Sequence, residues 1–386
     1  MSRFHTYKEE AIRILQQYKC EEPFSSFLKK QFAKDPRKGS RDRKMISDFC
    51  YRYYRAGILF EGKSIEEKLL YALFLTGQKP DDFCALLSPE LIERIELSIE
   101  DKLQYLNIDL SIQQLFPFTS FLSTNIHADS FQKSFLKQPP AFIRIRPGFK
   151  FQVIKKLQQA GLLYDFISDD CLSLPASSKL DLWFELNKEI VVQDMSSQKV
   201  IPSLLSVFAK NQVFHVWDCC AASGGKSIHL YDFFSNVKLT VSDIRPSILR
   251  NLQSRFSVAG IKNYDSKIAD LSRPYYQGCQ YDLIIADVPC SGSGTWRRTP
   301  EQMKCFSFDD MQNYVTLQRK IISNVFPSLK TGGYLLFSTC SAFAAENEAQ
   351  TAWMEKELDL QIVSCGLIDG TEDMADTMYA AIFKKQ

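Results

Sequence analysis

The sequence predicts an α/β protein: a parallel, doubly wound sheet in the C-terminal half, preceded by a small α/β segment and an all-helical segment. Three observations carry this. From Val213 onward short apolar strands alternate with helical patterns, as in parallel sheets covered by helices. From the start to about residue 130 apolar residues recur at helical spacing, with no alternating strand. Gln138-Pro-Pro, which ends regular structure, separates the two regimes. The expected domains are residues 1–130, 131–205 and 206–386.

In the first domain Ala11, Ile12, Leu15 and Tyr18 share one face, and Phe24, Phe27, Leu28 and Phe32 another. Met45, Ile46, Phe49, Cys50 and Tyr53 follow, then Ile65, Leu69 and Leu73, then Leu91, Ile92 and Ile95. In the second, Ala141-Phe-Ile-Arg-Ile-Arg146 alternates like a strand, Pro147-Gly148 turns it, residues 150–160 read as helix and 190–193 as strand. In the third, Val213–Trp217 runs into Asp218, Leu239–Ser242 into Asp243 and Tyr281–Ala286 into Asp287. Gly332-Gly333 is expected to stop a helix with the face Met311, Tyr314, Val315, Ile322, Val325 and Leu329, before a strand Tyr334–Ser338. In such sheets ligands bind beyond the carboxyl ends of the strands.

An apolar fraction of 45% and a charged fraction of 24% exclude a disordered chain, a fibrous repeat and a membrane bundle. No apolar run approaches the roughly 20 residues that span a bilayer, and the start lacks a secretory apolar stretch, so a soluble cytoplasmic protein is expected. Residues 1–63 carry 15 Lys/Arg against 8 Asp/Glu, and residues 64–130 carry 4 against 11. This is a basic face beside an acidic segment, or two ordinary solvated faces. The 11 cysteines are scattered without a Cys-x-x-Cys pair, so no metal site and no disulfide framework are expected.

The first chemical signal is Asp218-Cys-Cys-Ala-Ala-Ser-Gly-Gly-Lys-Ser227. A Walker A loop would need glycine at Cys220, and no Gly-x-Gly-x-x-Gly is present. An adenosine-type cofactor without a pyrophosphate remains, with Asp243 placed for a ribose diol and Asp270 for the adenine amino group. The competing reading is that these aspartates only cap helices. The second signal, Asp287-Val-Pro-Cys-Ser-Gly-Ser-Gly-Thr-Trp-Arg-Arg-Thr-Pro300, sets a carboxylate and a thiol beside Arg297 and Arg298, which suit phosphate. The third, Ser338-Thr-Cys-Ser341 followed by Glu346-Asn-Glu348, brings Cys340 to the sheet edge that carries Cys290.

Val192-Gln-Asp-Met-Ser-Ser-Gln198, Cys220-Ala-Ala-Ser-Gly-Gly-Lys226, Asp287-Val-Pro-Cys290 with Arg297-Arg298, and Ser338-Thr-Cys-Ser341 with Glu346-Asn-Glu348 stand in the order of the RNA cytosine-5 methyltransferases. The chain resembles most their bacterial ribosomal RNA branch, the RsmB/Sun-like proteins. Pro23-Phe-Ser-Ser-Phe-Leu28 and Ser40-Arg-Asp-Arg-Lys-Met-Ile-Ser47 resemble the NusB-like helical domain of that branch. The resemblance implies a Rossmann-like class I methyltransferase domain and an all-helical NusB-like RNA-binding domain. It implies S-adenosylmethionine held by Cys220, Ala221, Ala222, Ser223, Gly224, Gly225, Lys226, Asp243, Asp270 and Asp287.

Adding a thiolate to C6 of cytosine makes C5 nucleophilic enough to take a methyl group, which divides one hard step into easier ones. The resemblance assigns Cys340 as nucleophile, Cys290 to product release, Asp287 to ring N3 and Lys226 to orientation. The base must be unstacked, so a single-stranded or loop cytosine is expected. RNA is the expected partner, ribosomal foremost and transfer RNA as the alternative, with Arg297, Arg298 and the basic turn Arg37, Lys38, Arg41, Arg43 and Lys44 on its phosphates. No membrane and no obligate protein partner are expected. Ser223 stands where the family usually has Pro, Val288 where it has Ala, Arg146-Pro147 where it has Asn, and Ala375-Asp-Thr-Met-Tyr379 where it has Asp-Gly-Phe-Phe. Two other classes are an RNA-binding assembly factor on a degenerate fold and an amine or protein methyltransferase; the two thiols and Asp287 count against both.

Overall fold

The computed structural model describes residues 3–111, 114–275 and 278–386, and the chain divides into two units. The helical unit comprises residues up to Ser120, His127–Gln138 and Trp296–Phe306; the α/β unit comprises Phe121–Ile126, Pro139–Thr295 and Ser307–Gln386.

In the helical unit, helices Arg3–Gln17, Phe24–Ala33, Ser40–Ala56 and Ile65–Thr76 bury the faces expected of them. Ala11, Leu15, Tyr18, Phe24, Leu28, Phe49, Cys50, Leu69 and Leu73 belong to one core. Ser64 starts the fourth helix: its hydroxyl accepts from the Glu67 amide (3.2 Å), and the Glu67 carboxylate accepts from the Ser64 amide (3.0 Å). Arg55 is buried and donates to the carbonyls of Phe135 (3.1 Å), Lys137 (3.2 Å) and Arg297 (2.6 Å) and to Gln138 Oε1 (2.6 Å). One side chain thus satisfies carbonyls from two segments far apart in sequence. Cys20 and Cys305 form a disulfide in this unit. The sequence predicts no disulfide framework, and this one bridge, with nine cysteines free, qualifies that expectation. The partners lie 285 residues apart, so no local spacing could announce them.

The α/β unit holds two sheets. The small one has β1 (Ala141–Ile145), β2 (Asp165–Phe166), β3 (Cys171–Leu174) and β4 (Ile190–Val192), all antiparallel in the order β2-β3-β1-β4. Ile143 and Ile145 pack on Val153 and Leu157 of the helix Lys150–Ala160. Phe142 points the other way, toward Cys171, Met195 and Ala375. Period-2 alternation with both faces covered makes β1 the core strand of this sheet.

The large sheet contains β5 (Phe214–Asp218), β6 (Val237–Asp243), β7 (Tyr264–Ile268), β8 (Tyr281–Asp287), β9 (Leu329–Thr339), β10 (Leu360–Ile368) and β11 (Met378–Lys385). Their order is β10-β11-β9-β8-β5-β6-β7. The pairs β5–β6, β5–β8, β6–β7 and β8–β9 are parallel, so β5 flanks the switch point where the winding reverses. The doubly wound sheet expected is present, and at one edge β11 runs antiparallel to both β9 and β10. A hairpin needs only a short connection, where another parallel strand would need a crossover.

The expected helix stop at Gly332-Gly333 is corrected too. The helix Phe308–Val325 ends just before Pro327, and both glycines lie inside β9. Gly332 has φ +74°, and the β8–β9 register shifts near this point. Among the described residues no helix is long and apolar enough to cross a membrane.

Candidate active site

The four loops with chemical signals leave the carboxyl ends of β5, β6, β8 and β9. At β5, buried Trp217 donates through its indole N–H to Ser242 Oγ (2.9 Å), and that hydroxyl donates to the Cys219 carbonyl (2.8 Å), which joins the first two strand ends. The chain then turns through Ala222 (φ +46°) and Gly224 (φ +81°) into the helix Gly225–Phe233. A Cβ on Gly224 would lie 2.6 Å from Phe256 and 3.0 Å from Leu252, so only glycine lets the next helix, Pro246–Ala259, pack here. Nothing lies within 4 Å of a Cβ on Gly225, so this side of the loop is open. A helix start with an open glycine is a place where a small polar ligand can meet backbone amides.

Two carboxylates hold the loop, and a third, Asp270, follows β7. Asp218 is buried, accepts from Ser227 Oγ (2.6 Å), and is pushed up to about 7 by burial. Asp243 accepts from the Ala222 amide (3.1 Å), the Arg245 amide (2.9 Å) and the Arg245 guanidinium (3.0 and 3.1 Å). Burial alone would raise its pKa, but these donors outweigh that and hold it below the ordinary carboxylate range. Asp270 is engaged locally: Oδ1 accepts from the Ser272 amide (3.1 Å) and hydroxyl (2.6 Å), and Oδ2 pairs with Arg273 (3.3 Å). It therefore serves as a turn cap in this structure.

At the end of β8, Asp287 Oδ2 accepts from Lys226 Nζ (2.6 Å) and Oδ1 from Ser338 Oγ (2.8 Å). Asp287 and Ser338 are register partners of β8 and β9, so the sheet itself sets this contact. Burial alone would lower the Lys226 pKa, but the Asp287 carboxylate, its hydrogen bond and the Cys340 sulfur together hold it above the ordinary lysine value. The sulfurs of Cys290 and Cys340 lie 3.4 Å apart. The hydrogen bond between them, burial and the Glu346 carboxylate push the Cys290 thiol well up.

Beneath the two cysteines lies a network that the sequence reading left without a role. Glu346, at 0% exposure, accepts from the Ser291 amide (2.9 Å), the Ser291 hydroxyl (2.5 Å), the Ser341 hydroxyl (2.5 Å) and Gln318 Nε2 (2.9 Å). It clamps the residue after Cys290 to the residue after Cys340. Asn347 accepts from Thr339 Oγ1 (2.6 Å) and donates to the Ser341 carbonyl (2.9 Å). The Gly294 amide donates to the Cys340 carbonyl (3.0 Å), and the Thr377 amide to the Gly294 carbonyl (3.0 Å). Only the position of Glu346-Asn347 soon after Cys340 could have signalled this.

The residues expected on phosphate fare unevenly. Arg297 is 1% exposed, donates to Ser134 Oγ (3.1 Å) and lies 5.6 Å from the Phe131 ring centre within the helical unit. This corrects its expected role, since a guanidinium packed so reaches phosphate only by unpacking. Arg298 is half-buried in the same unit. In the basic turn, Arg37 pairs with Asp35 (2.9 Å) and Lys38 with Glu10 (2.5 Å), while Arg43 donates to the Lys38 carbonyl (2.8 Å). Arg41 and Lys44 are exposed on the first turns of the helix Ser40–Ala56. Arg146, one of the departures, is a fastening: it grips Asp232 (2.7 Å) and donates to the carbonyls of Asn187 (2.9 Å) and Ala259 (2.9 Å). Among the described residues no group of three or more His, Cys, Asp or Glu could hold a metal ion.

Residues 206–379 match the family model of the 16S rRNA methyltransferases RsmB/F. The ribosomal RNA small subunit methyltransferase B of Salmonella arizonae is 31% identical over 208 residues, 51% of this chain and 47% of that protein. That of Xylella fastidiosa is 30% identical over 236 residues, covering 58% and 54%. The chain thus spans about half the length of these relatives. Among solved structures, that of PH0851 superposes on 97% of this chain and 97% of its own (TM-score 0.70, 18% identity). A methyltransferase homologue from Pyrococcus horikoshii covers 78% of this chain and 100% of its own (TM-score 0.59, 20% identity). The strand order, the open glycine loop and the paired thiols agree with this match, and S-adenosylmethionine is the cofactor of such a domain. Over residues 206–379 the chain is similar to the 16S rRNA methyltransferases RsmB/F.

Proposed function

We propose that this protein methylates C5 of a cytosine in RNA, with small-subunit ribosomal RNA as the substrate and the cytoplasm as the place of action. The observation that carries the proposal is the pair of sulfurs, 3.4 Å apart, beside the Lys226–Asp287 pair. Amine methylation has no use for a thiol, whereas addition to C6 needs one and its reversal profits from a second.

The residues divide the work by charge. Lys226 is paired with Asp287, and the Cys340 sulfur is among the groups that hold the lysine's pKa up. Cys290 lies near Glu346 and keeps its proton. The resemblance assigns addition to C6 to Cys340, and Cys290, whose sulfur lies 3.4 Å away, holds a proton beside it. Asp287 faces ring N3, and the Lys226 ammonium on its Oδ2 supplies, through the carboxylate, the proton that N3 takes up as Cys340 adds to C6. S-adenosylmethionine bound at the Ala221–Lys226 loop supplies the methyl group. The C5 proton then passes to solvent, its bonding pair restores the C5–C6 double bond, and the Cys340–C6 bond breaks with its pair on the sulfur, to which Cys290 can donate its proton.

Arg37, Arg41 and Lys44 are the cations of the basic turn that stand exposed to solvent, where phosphate can reach them. The test is transfer of labelled methyl from S-adenosylmethionine to ribosomal RNA, followed by nucleoside mass spectrometry. The proposal expects 5-methylcytosine. Label in any other nucleoside, or only in protein, overturns it.

A further inference from the structure

We propose that Arg255 is a positioning residue for the cofactor loop, acting through Ser223. The proposal rests on the reading of Ala221–Lys226 as the S-adenosylmethionine loop. Arg255 lies in the helix Pro246–Ala259, and its guanidinium donates to the Ser223 carbonyl (2.8 Å), the Ser223 hydroxyl (2.7 Å) and Asn187 Oδ1 (2.8 Å). All three acceptors are neutral. Burial lowers the arginine's pKa and no carboxylate offsets it, so the charge is spent on shaping these particular groups.

The placement explains why the loop needs such a hold. Ala222 and Gly224, on either side of Ser223, both have left-handed backbones, at φ +46° and +81°. Two such residues around a serine make a turn that a flexible chain leaves easily, since a non-glycine residue pays for positive φ. The same helix grips the loop twice. Phe256 and Leu252 press on Gly224 from its apolar side, and Arg255 holds Ser223 by hydrogen bonds. A proline between the two left-handed residues would stiffen the chain by its ring; here a serine stands there and an arginine supplies the stiffness from outside.

Asn187 extends the device. It adopts φ +70°, its side chain accepts from Arg255, and its carbonyl accepts from Arg146 (2.9 Å). Arg146 belongs to the segment leaving β1 and Arg255 to the large sheet's helix, so one residue ties the small sheet to the cofactor loop. Arg146 and the Arg255–Ser223 pair therefore meet through a single asparagine.

The test is calorimetric titration of the full-length protein with S-adenosylmethionine. Arg255→Ala should raise Kd about 10-fold, with RNA affinity unchanged. Asn187→Gly, which keeps the left-handed backbone and removes one acceptor, should raise it about threefold. The decisive variant is Arg255→Ala combined with Ser223→Pro, which should recover most of the lost affinity. A purely structural arginine would not be replaced by a proline in the cofactor loop. The proposal is overturned if folded Arg255→Ala binds cofactor like the parent, or if the double variant folds and shows no recovery. If Arg255→Ala does not fold, Asn187→Gly decides: unchanged affinity overturns the proposal. A parent protein that binds no S-adenosylmethionine overturns the cofactor reading itself, which separates the two failures.

Discussion

Glu346 is buried at the centre of the site and touches neither cysteine's sulfur by hydrogen bond, so its removal tests whether the two loops must be held together. In Glu346→Ala the Ser291 and Ser341 hydroxyls, 3.1 Å apart, can turn to one another, and Gln318 keeps the Pro289 carbonyl (3.0 Å). The Ser291 amide loses its bond to the carboxylate. Loss of such a part-buried, charge-assisted bond costs about 1–3 kcal/mol, with roughly 1 kcal/mol more for each methyl-sized void. At about 2–4 °C per kcal/mol for a domain of this size, the apparent melting midpoint should fall by roughly 5–15 °C. Glu346→Gln keeps one acceptor oxygen and the side-chain volume, so its loss should be about half as large. Both variants should lose methyl transfer beyond what the fall in stability explains, because the 3.4 Å approach of the sulfurs is no longer enforced. Thermal melts by circular dichroism, with methyl transfer measured 20 °C or more below each midpoint, separate the two effects. A Glu346→Ala protein that melts and turns over like the parent would refute the clamp.

Three further outcomes follow from the geometry. Asp218 is raised from its ordinary value to about 7, so the folded chain holds a proton there that the unfolded chain gives up; stability should fall as pH rises from about 4 to about 7, by up to about 4 kcal/mol, and Asp218→Asn should flatten that fall in urea titrations. Arg41→Gln with Lys44→Gln should flatten the salt dependence of RNA binding by roughly 0.7 per lost single-strand contact, whereas Arg297→Met should lower the melting midpoint and leave that slope alone. Gly294→Ala places a Cβ 1.8 Å from the Thr377 carbonyl oxygen, so the loop after Cys290 must shift; methyl transfer should collapse while S-adenosylmethionine affinity, measured by calorimetry, survives.

What could be read in the sequence was local. The loop after β5 announces itself through two glycines and a strand-end aspartate, and Cys290 and Cys340 through their places at the ends of apolar runs; the fold brings them together as the doubly wound reading requires. The helical faces of the first unit were legible because a 3.6-residue period is a property of a single segment. What escaped depends on partners distant in sequence. Arg297 reads as a surface cation beside Arg298, and only Phe131 and Ser134, more than 160 positions earlier, show it to be buried. Cys20 and Cys305 give no sign of one another. The edge hairpin was missed because β10 lacks a clean apolar alternation, and Glu346 because a lone acidic residue after a cysteine looks like a helix start.

The central claim is the division of labour between the two cysteines, and trapping of RNA tests it most directly. Cys290→Ala, incubated with S-adenosylmethionine and substrate RNA, should attack and methylate but release poorly. It should leave protein and RNA joined through Cys340, as a slow band on a denaturing gel that survives heat without reductant. Cys340→Ala should show neither methylation nor the band. The reverse pattern, with Cys340→Ala trapping RNA and Cys290→Ala leaving it free, would contradict the assignment, and two active variants without any trapped RNA would contradict the covalent mechanism.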